Sequence, residues 1–214
     1  TISQRFLRCA RLPPETLLAF DTSAAHCAAA LLCGDRITLK QEPMDKGQAE
    51  RLIPLLEQLL AESGIGWHDL TALAVGTGPG NFTGVRIAVA AARGLALGLG
   101  IPAIGVTRLE ALAYGLPRPI TVIEDARRGE VYVQSFDAEP GAARLARPDA
   151  LGDVTALQTG SAAQDGLPPA MALVEAIARI AAKRTGTAQP RPAPFYLRGA
   201  DAAPPADPPP VILP

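Results

Sequence analysis

The stretch from Gly76 to Gly100 constrains the fold of this chain more than any other part of it. It reads GTGPGNFTGVRIAVAAARGLALGLG and joins a glycine-rich turn to small and apolar residues at helical spacing. A turn of this kind at a helix N-terminus can hold an anion such as phosphate. A helix that is apolar or small on almost every side must be covered by other protein. The stretch therefore indicates either a phosphate site or a helix that is buried or faces a partner.

Composition limits the classes of function. The chain has 214 residues, 48% of them hydrophobic, and a formal net charge of −1. The length is enough for one large domain or two small ones. The net charge lacks the excess of basic residues expected of a protein that binds nucleic acid on its own. No membrane span is predicted, because Arg86 and Arg93 interrupt the most apolar run. The three cysteines lack CxxC spacing, which favours reduced thiols in a cytoplasmic protein. The two histidines lie beside no cysteine or serine motif, which argues against nucleophilic catalysis.

Hydrophobic patterning predicts strands and helices on both sides of this stretch. The predicted strands are 17–22, 26–32, 36–41, 70–75, 102–106, 120–123, 131–136 and 153–158, and the predicted helices are 45–62, 83–99, 107–114 and 169–183. Gly64 is expected to end the first helix, Asn81 or Thr83 to cap the second, and Thr107 to cap the third. Pro54 is expected to kink the first helix or to mark its start.

The order of these elements favours a duplicated α/β fold. Three antiparallel strands precede the first helix, whereas a Rossmann sheet alternates strands and helices from the outset. The segment from residue 120 repeats the start of the first unit in shortened form. We therefore predict an actin-like ATPase (RNase H-like) fold, with halves at 17–115 and 116–200. Residues 1–16 are expected to form a flexible extension and 201–214 a proline-rich tail, with 195–197 docked on the protein.

Two groups of residues are candidates for nucleotide binding. The glycine-rich turn offers Gly78, Gly80, Asn81, Thr83, Gly84 and Arg86. It matches neither a P-loop nor a GxGxxG turn, and a purely structural turn is the favoured interpretation. Asp21 and Asp125 end corresponding strands of the two units, where an actin-like ATPase holds a metal-bound nucleotide. Alternatively each carboxylate caps local amides, and Asp125, Arg127 and Glu130 form an internal ion-pair cluster.

Several motifs resemble the TsaB (YeaZ) family of bacterial tRNA threonylcarbamoyladenosine biosynthesis proteins. They are FDTS, GTGPGNFTGVRI, IPAIGVTRLEALA, DARRGEVY and PFYLRGAD, and the resemblance covers roughly residues 17–200. It implies a cytoplasmic, non-catalytic subunit that activates a TsaD-type transferase in an assembly with a TsaE-type ATPase. It also implies that the chain contacts tRNA only through this complex, binds no membrane and requires no cofactor. Weak binding of ATP or ADP stays compatible with it.

The resemblance also implies that a metal site has been lost. Where the TsaD-type paralogue carries metal-binding histidines, this chain has Gln48, Arg108 and Leu112. An amide, a cation and an aliphatic group do not bind first-row metals well, so no metal is expected. The alternatives are a small actin-like ATPase or kinase, or a glycoprotease-like metallopeptidase. A direct tRNA-binding module is disfavoured by the near-neutral charge and the 4% aromatic content.

The resemblance places the contact with the paralogue, or with a second copy in isolation, on the first two helices. From the leucine stripe and the small-residue positions we expect an apolar helix-on-helix interface. The expected contact residues are Leu52, Leu55, Leu56, Leu59, Val85, Ala88, Val89 and Ala92. The alternative is that the leucine stripe packs only on the protein's own sheet.

Overall fold

A computed structural model describes residues 15–152 and 156–198. The strands are β1 (Thr16–Asp21), β2 (His26–Cys33), β3 (Arg36–Pro43), β4 (Ala72–Gly76), β5 (Ala103–Val106), β6 (Ile120–Asp125), β7 (Val131–Phe136), β8 (Arg144–Ala146) and β9 (Leu157–Thr159). The α-helices are α1 (Gln48–Ser63), α2 (Phe82–Leu99), α3 (Arg108–Ala113) and α4 (Leu173–Ala182). The order of elements up to α3 is the predicted one.

The first sheet has the strand order β3-β2-β1-β4-β5. β1, β2 and β3 are antiparallel neighbours, whereas β4 and β5 run parallel to β1. Successive side chains of a strand point to opposite faces of the sheet, so β1 contributes side chains to two hydrophobic cores. Leu18 and Phe20 pack with α1 and α2, while Leu17 and Ala19 pack with α4. The sheet is therefore covered by helices on both faces.

The second sheet has the order β8-β7-β6-β9 and is smaller. β6 and β7 form an antiparallel hairpin, and β9 runs parallel to β6. One face packs on α3, through Leu109 and Leu112. On the other face, Ile123 and Val133 are covered by side chains such as Leu151 that belong to connecting segments. This half is shortened, because loops stand where a helix would complete a second α/β layer.

The last helix differs from the prediction. α4 begins at Leu173 and not at Pro169, with Ala172 as an N-cap that makes no side-chain hydrogen bond. It follows the second sheet in the chain but packs on the first, with Ile177 and Ile180 in that core. Assigning the whole of 116–200 to the second half is therefore wrong for α4. Local periodicity identifies an apolar face but not the sheet that covers it.

Smaller differences concern segment ends. β8 was not predicted, since its three residues are partly exposed and carry no alternating pattern. The predicted strand 153–158 is observed only as β9, and residues 153–155 lie outside the described residues. Pro54 lies inside α1 and does not mark its start. The proposed extension and tail fall almost entirely on residues 1–14 and 199–214, which also lie outside the described residues.

The thiol of Cys27 lies in the core between the first sheet and α1, with 0% of its surface exposed. Burial, and secondarily the nearby carboxylate of Glu42, raises the pKa of this thiol to about 11. Since the thiolate is the reactive species, Cys27 is inert at neutral pH. The protonated thiol contributes stability below pH about 9, the value of an unperturbed thiol, and this contribution is lost as pH rises toward 11.

This environment predicts slow alkylation of Cys27 in the folded protein. In a chain carrying Cys9→Ser and Cys33→Ser, iodoacetamide at pH 9 should react with Cys27 at least about tenfold more slowly than in the urea-unfolded chain, because far less of it is thiolate. Mass spectrometry of timed samples measures the rate. Equal rates in the folded and unfolded chains would show that the thiol is accessible and has an ordinary pKa.

Candidate functional site

The glycine-rich turn is packed against the three residues that end β1 and follow it. A Cβ at Gly76 would lie 2.0 Å from Asp21 Oδ1, and one at Gly84 would lie 1.9 Å from the carbonyl oxygen of Thr22. A Cβ at Gly80 would lie 2.4 Å from the carbonyl oxygen of Ser23. At Gly80 and Gly84 the neighbour is backbone, so these positions exclude a side chain, whereas a side chain at Gly76 would have to displace the buried carboxylate of Asp21. The FDTS and GTGPGNFTG motifs are thus two sides of one backbone contact.

Hydrogen bonds complete this contact and use polar groups that a phosphate would need. The N–H of Asn81 donates to the Ser23 carbonyl at 2.7 Å. The N–H of Gly84 donates to Asn81 Oδ1 at 2.9 Å, so Asn81 is the N-cap of α2, one of the two predicted caps. The Thr22 hydroxyl donates to the Gly84 carbonyl at 2.6 Å. With these groups engaged internally, the turn is built chiefly to direct α2, and a phosphate site there stays a prediction.

Other residues proposed for the phosphate site also have structural contacts. The carbonyl of Gly78 accepts a 2.7 Å hydrogen bond from the N–H of Arg108. The guanidinium of Arg86 lies 3.7 Å from the ring centroid of Phe82 and donates to the Tyr196 hydroxyl at 2.9 Å. Thr83 is exposed in the first turn of α2. The structure brings the turn residues together, with Gly78 and Arg86 engaged in contacts within the protein.

Asp21 is 1% exposed and organises the turn between β1 and β2. Its Oδ2 accepts hydrogen bonds from the Ser23 N–H at 3.1 Å and the Ser23 hydroxyl at 3.0 Å, and lies 2.8 Å from His26 Nε2. Ser23 and His26 therefore bind the same carboxylate oxygen, and the serine hydroxyl donates to Asp21 and not to the imidazole. This arrangement caps a turn and does not activate a nucleophile.

Asp125 is exposed at the end of β6, where its Oδ1 accepts the Arg127 N–H at 2.8 Å. Glu130 pairs with Arg198 at 2.7 Å, so its partner comes from the distant YLR motif and not from Arg127. Arg198 also donates to the Ala126 carbonyl at 3.0 Å. Within residues 15–152 and 156–198, no three His, Cys, Asp or Glu side chains come close enough to share a metal ion.

Arg198 holds a hairpin whose backbone is unusual. Arg127, Arg128 and Gly129 have φ angles of 60°, 56° and 72°, a left-handed conformation that is unfavourable for the two arginines. The contacts from Arg198 to the Ala126 carbonyl and to Glu130 bracket these three residues. This explains why the sequence carries both DARRGEVY and YLR, two motifs that are far apart in the chain.

The residues 192–198 run between the two sheets. The Phe195 N–H donates to the Thr77 carbonyl at 2.8 Å, and the Tyr196 ring stacks on Phe82 with centroids 5.2 Å apart. Leu197 packs in the core of the second sheet. Docking of residues 195–197, predicted from the sequence, is confirmed. The segment joins the glycine-rich turn to the second half of the protein.

A partly buried ion pair between Arg108 and Glu124 also joins the halves, and sequence reasoning missed it. Arg108 Nε and Nη2 donate to Glu124 Oε1 at 2.8 and 2.6 Å, and Glu124 Oε2 accepts the Ser161 N–H at 2.8 Å. Arg108 starts α3 and Glu124 lies in β6. A charged residue in the otherwise apolar run ITVIE was the only sequence signal for such a partner.

The structure does not place the eight residues expected to contact a partner on the surface of the protein. All eight are at most 3% exposed and belong to the core between the first sheet and its two helices: Leu52, Leu55, Leu56, Leu59, Val85, Ala88, Val89 and Ala92. The leucine stripe packs on the protein's own sheet, which was the stated alternative. Helical periodicity marked the inner face correctly, but the outer face, which a partner would meet, is made of other residues.

That outer face of α2 is largely apolar, although Arg93 is exposed on it one turn before Leu97. Leu97 is 81% exposed, and Ala90, Gly94 and Gly98 are exposed beside it. α2 has a mean hydropathy of 1.4 with only 28% of its residues buried. By length and composition alone it could cross a membrane, yet its inner face is fixed on β4 and β1. The helix is therefore part of the folded domain and has an uncovered apolar side.

Comparison with known proteins agrees with this architecture. A family model described as TsaD, tRNA N6-adenosine threonylcarbamoyltransferase, matches residues 42–200. The solved structure of YeaZ from Pseudomonas aeruginosa is 31% identical, with a TM-score of 0.70 over 86% of this chain and 100% of that chain.

Two curated relatives are named tRNA threonylcarbamoyladenosine biosynthesis protein TsaB. The Haemophilus influenzae protein is 41% identical over 122 residues, which is 55% of this chain and 52% of that protein. The Escherichia coli protein is 40% identical over 128 residues, which is 58% of this chain and 55% of that protein. The chain thus spans about half the length of the curated relatives it matches.

The two sheets, their strand order and the YeaZ likeness define a mixed α/β protein of the actin-like (RNase H-like) fold with a shortened second half. The chain belongs to the TsaD family and, within it, to the TsaB (YeaZ) branch.

The close contact at Gly84 predicts opposite effects for one substitution at two positions of α2. Gly84→Ala should destabilise the fold by at least about 2 kcal/mol, because the new methyl group meets the Thr22 carbonyl. Gly94→Ala, where no atom lies within 4 Å of the added Cβ, should stabilise it by about 0.5–1 kcal/mol. Urea unfolding at low protein concentration measures both, and equal effects would contradict the packing described for the turn.

Proposed function

We propose that this chain is an accessory subunit for the synthesis of threonylcarbamoyladenosine in tRNA. It binds a TsaD-type paralogue and activates it, while the transfer reaction takes place on the paralogue. A TsaE-type ATPase completes the assembly, tRNA is met only through the complex, and the site of action is the cytoplasm. The family membership and the TsaB names of the relatives support this role. No nucleotide is required by the chain itself.

The uncovered face of α2 is the observation that supports a contact with the paralogue. Leu97 projects from a surface on which Ala90, Gly94 and Gly98 leave the helix backbone nearly bare. Small residues allow a second helix to approach closely, and a large exposed apolar residue on such a surface is a typical anchor of an interface. Ile53 of α1 is a further large apolar residue on the surface, with 36% of it exposed. In isolation the same surface serves for a homodimer.

The positions at which the resemblance implies lost histidines support an accessory role. Arg108 is held by Glu124, and Leu112 is 6% exposed within the core under α3. The side-chain amide of Gln48 donates to the Met44 carbonyl at 3.1 Å. Each of the three positions thus serves the fold of this chain. A guanidinium has no free lone pair for a metal, and it lies here in an ion pair that joins the two halves.

The uncovered face predicts that Leu97→Glu abolishes co-purification with the TsaD-type paralogue. A charge at this position would be buried without a partner in the complex, which should weaken binding at least about 100-fold. The fold should be unaffected, since the side chain is 81% exposed. Pull-down of the tagged paralogue, followed by calorimetric titration, measures the affinity.

Leu157→Glu is the matched control, because Leu157 is a leucine 47% exposed on the second sheet. It should leave the affinity within about twofold of the unaltered chain. Unchanged binding by a folded Leu97→Glu variant, or equal loss in both variants, would contradict an interface on α2.

A further inference from the structure

A cleft of about 210 Å³ lies between the first and second halves, on the side of the first sheet covered by α4 and away from α2. Tyr114, which follows α3, and Phe136, at the end of β7, form part of its lining. The cations Arg118, Lys183 and Arg184 line it as well. Neither the glycine-rich turn nor the outer face of α2 contributes to it, so the cleft is separate from the surfaces described above.

Two of these cations are held by aromatic rings. Lys183 Nζ lies 4.9 Å from the ring centroid of Tyr114, and Arg118 Cζ lies 4.9 Å from that of Phe136. A cation over the face of an aromatic ring is attracted by the ring quadrupole while keeping its hydrogen-bond donors available. Both cationic residues are exposed, so these donors can be reached from solvent.

The charges in the cleft do not balance. Arg184 is neutralised by an ion pair with Glu110, the carboxylate that lines the cleft. Neither Arg118 nor Lys183 forms an ion pair with any residue of the part of the chain that the structure describes. The cleft therefore holds two positive charges without a counterion from the described residues.

We propose that this cleft binds a phosphate group, free or at the end of a small molecule. A phosphate monoester carries a charge of about −1.5 to −2 at pH 7, which matches the two unneutralised cations, whereas a single carboxylate would leave one of them unmatched. Arginine offers a planar fork of donors and lysine a compact charge, and both are common phosphate ligands.

The volume of the cleft limits the size of the ligand that can bind in it. Sites for drug-sized ligands measure about 300–1,000 Å³, so a cleft of about 210 Å³ takes one or two phosphate groups and not a whole nucleotide. In a nucleotide, the terminal phosphate would enter and the base would remain outside. This inference does not depend on the proposed role in tRNA modification.

Calorimetric titration of the full chain with inorganic phosphate, pyrophosphate, ADP and a short single-stranded RNA tests the proposal. At about 0.1 M salt, diffuse attraction between distant charges is largely screened. We expect phosphate or pyrophosphate to bind, and Lys183→Gln and Arg118→Gln each to weaken the binding at least about tenfold. ADP that binds with the same sensitivity would identify a terminal phosphate as the ligand and would also support the site.

Arg93→Gln removes the same charge from the exposed side of α2, on the opposite face of the first sheet, and should leave phosphate binding unchanged. Binding of neither phosphate nor pyrophosphate nor ADP would overturn the proposal. Equal weakening by Arg93→Gln would overturn it too, because it would show only a general response to net charge. Binding of RNA alone would overturn it in favour of a nucleic-acid contact.

Discussion

The contact between the glycine-rich turn and the end of β1 positions α2, α3 and the C-terminal segment. Three glycines bring the backbone of the turn onto the side chain of Asp21 and onto the backbone of Thr22 and Ser23, so close that an added Cβ would clash at each position. Because α2 begins inside this contact, its direction across the first sheet is set there. The same turn accepts the N–H of Arg108 through Gly78 and the N–H of Phe195 through Thr77, so α3 and the C-terminal segment take their positions from it as well.

This contact also explains why one stretch of sequence predicts two unlike functions. Glycines that allow a backbone to approach a phosphate equally allow it to approach another backbone. Here the neighbouring backbone occupies that space, and donors such as the N–H groups of Asn81 and Gly84 bind the protein itself. The apolar character of α2 then has two separate causes. Its inner face fills the core, and its outer face around Leu97 is uncovered, which is where we propose that another protein binds.

Much of the fold was predictable because its signals are local. The meander before α1, the αL glycine at Gly64 and the caps at Asn81 and Thr107 follow from alternation, chain reversal and backbone donors within a few residues. The errors concern contacts between distant segments. Periodicity found the leucine stripe but could not say that its cover is the protein's own sheet, and it could not place α4 on the first sheet. The Arg108–Glu124 pair and the Arg198 contacts join residues whose proximity only the tertiary structure creates.

We propose that this chain supports a catalytic partner and performs no transfer itself. The most direct measurement is threonylcarbamoylation of tRNA by the purified TsaD-type paralogue and the TsaE-type ATPase, with this chain added in increasing amounts. We expect modified adenosine to form only when the chain is present, with a rate that rises until the chain and the paralogue are equimolar. Full activity without the chain, or transfer by the chain in the absence of the paralogue, would contradict it.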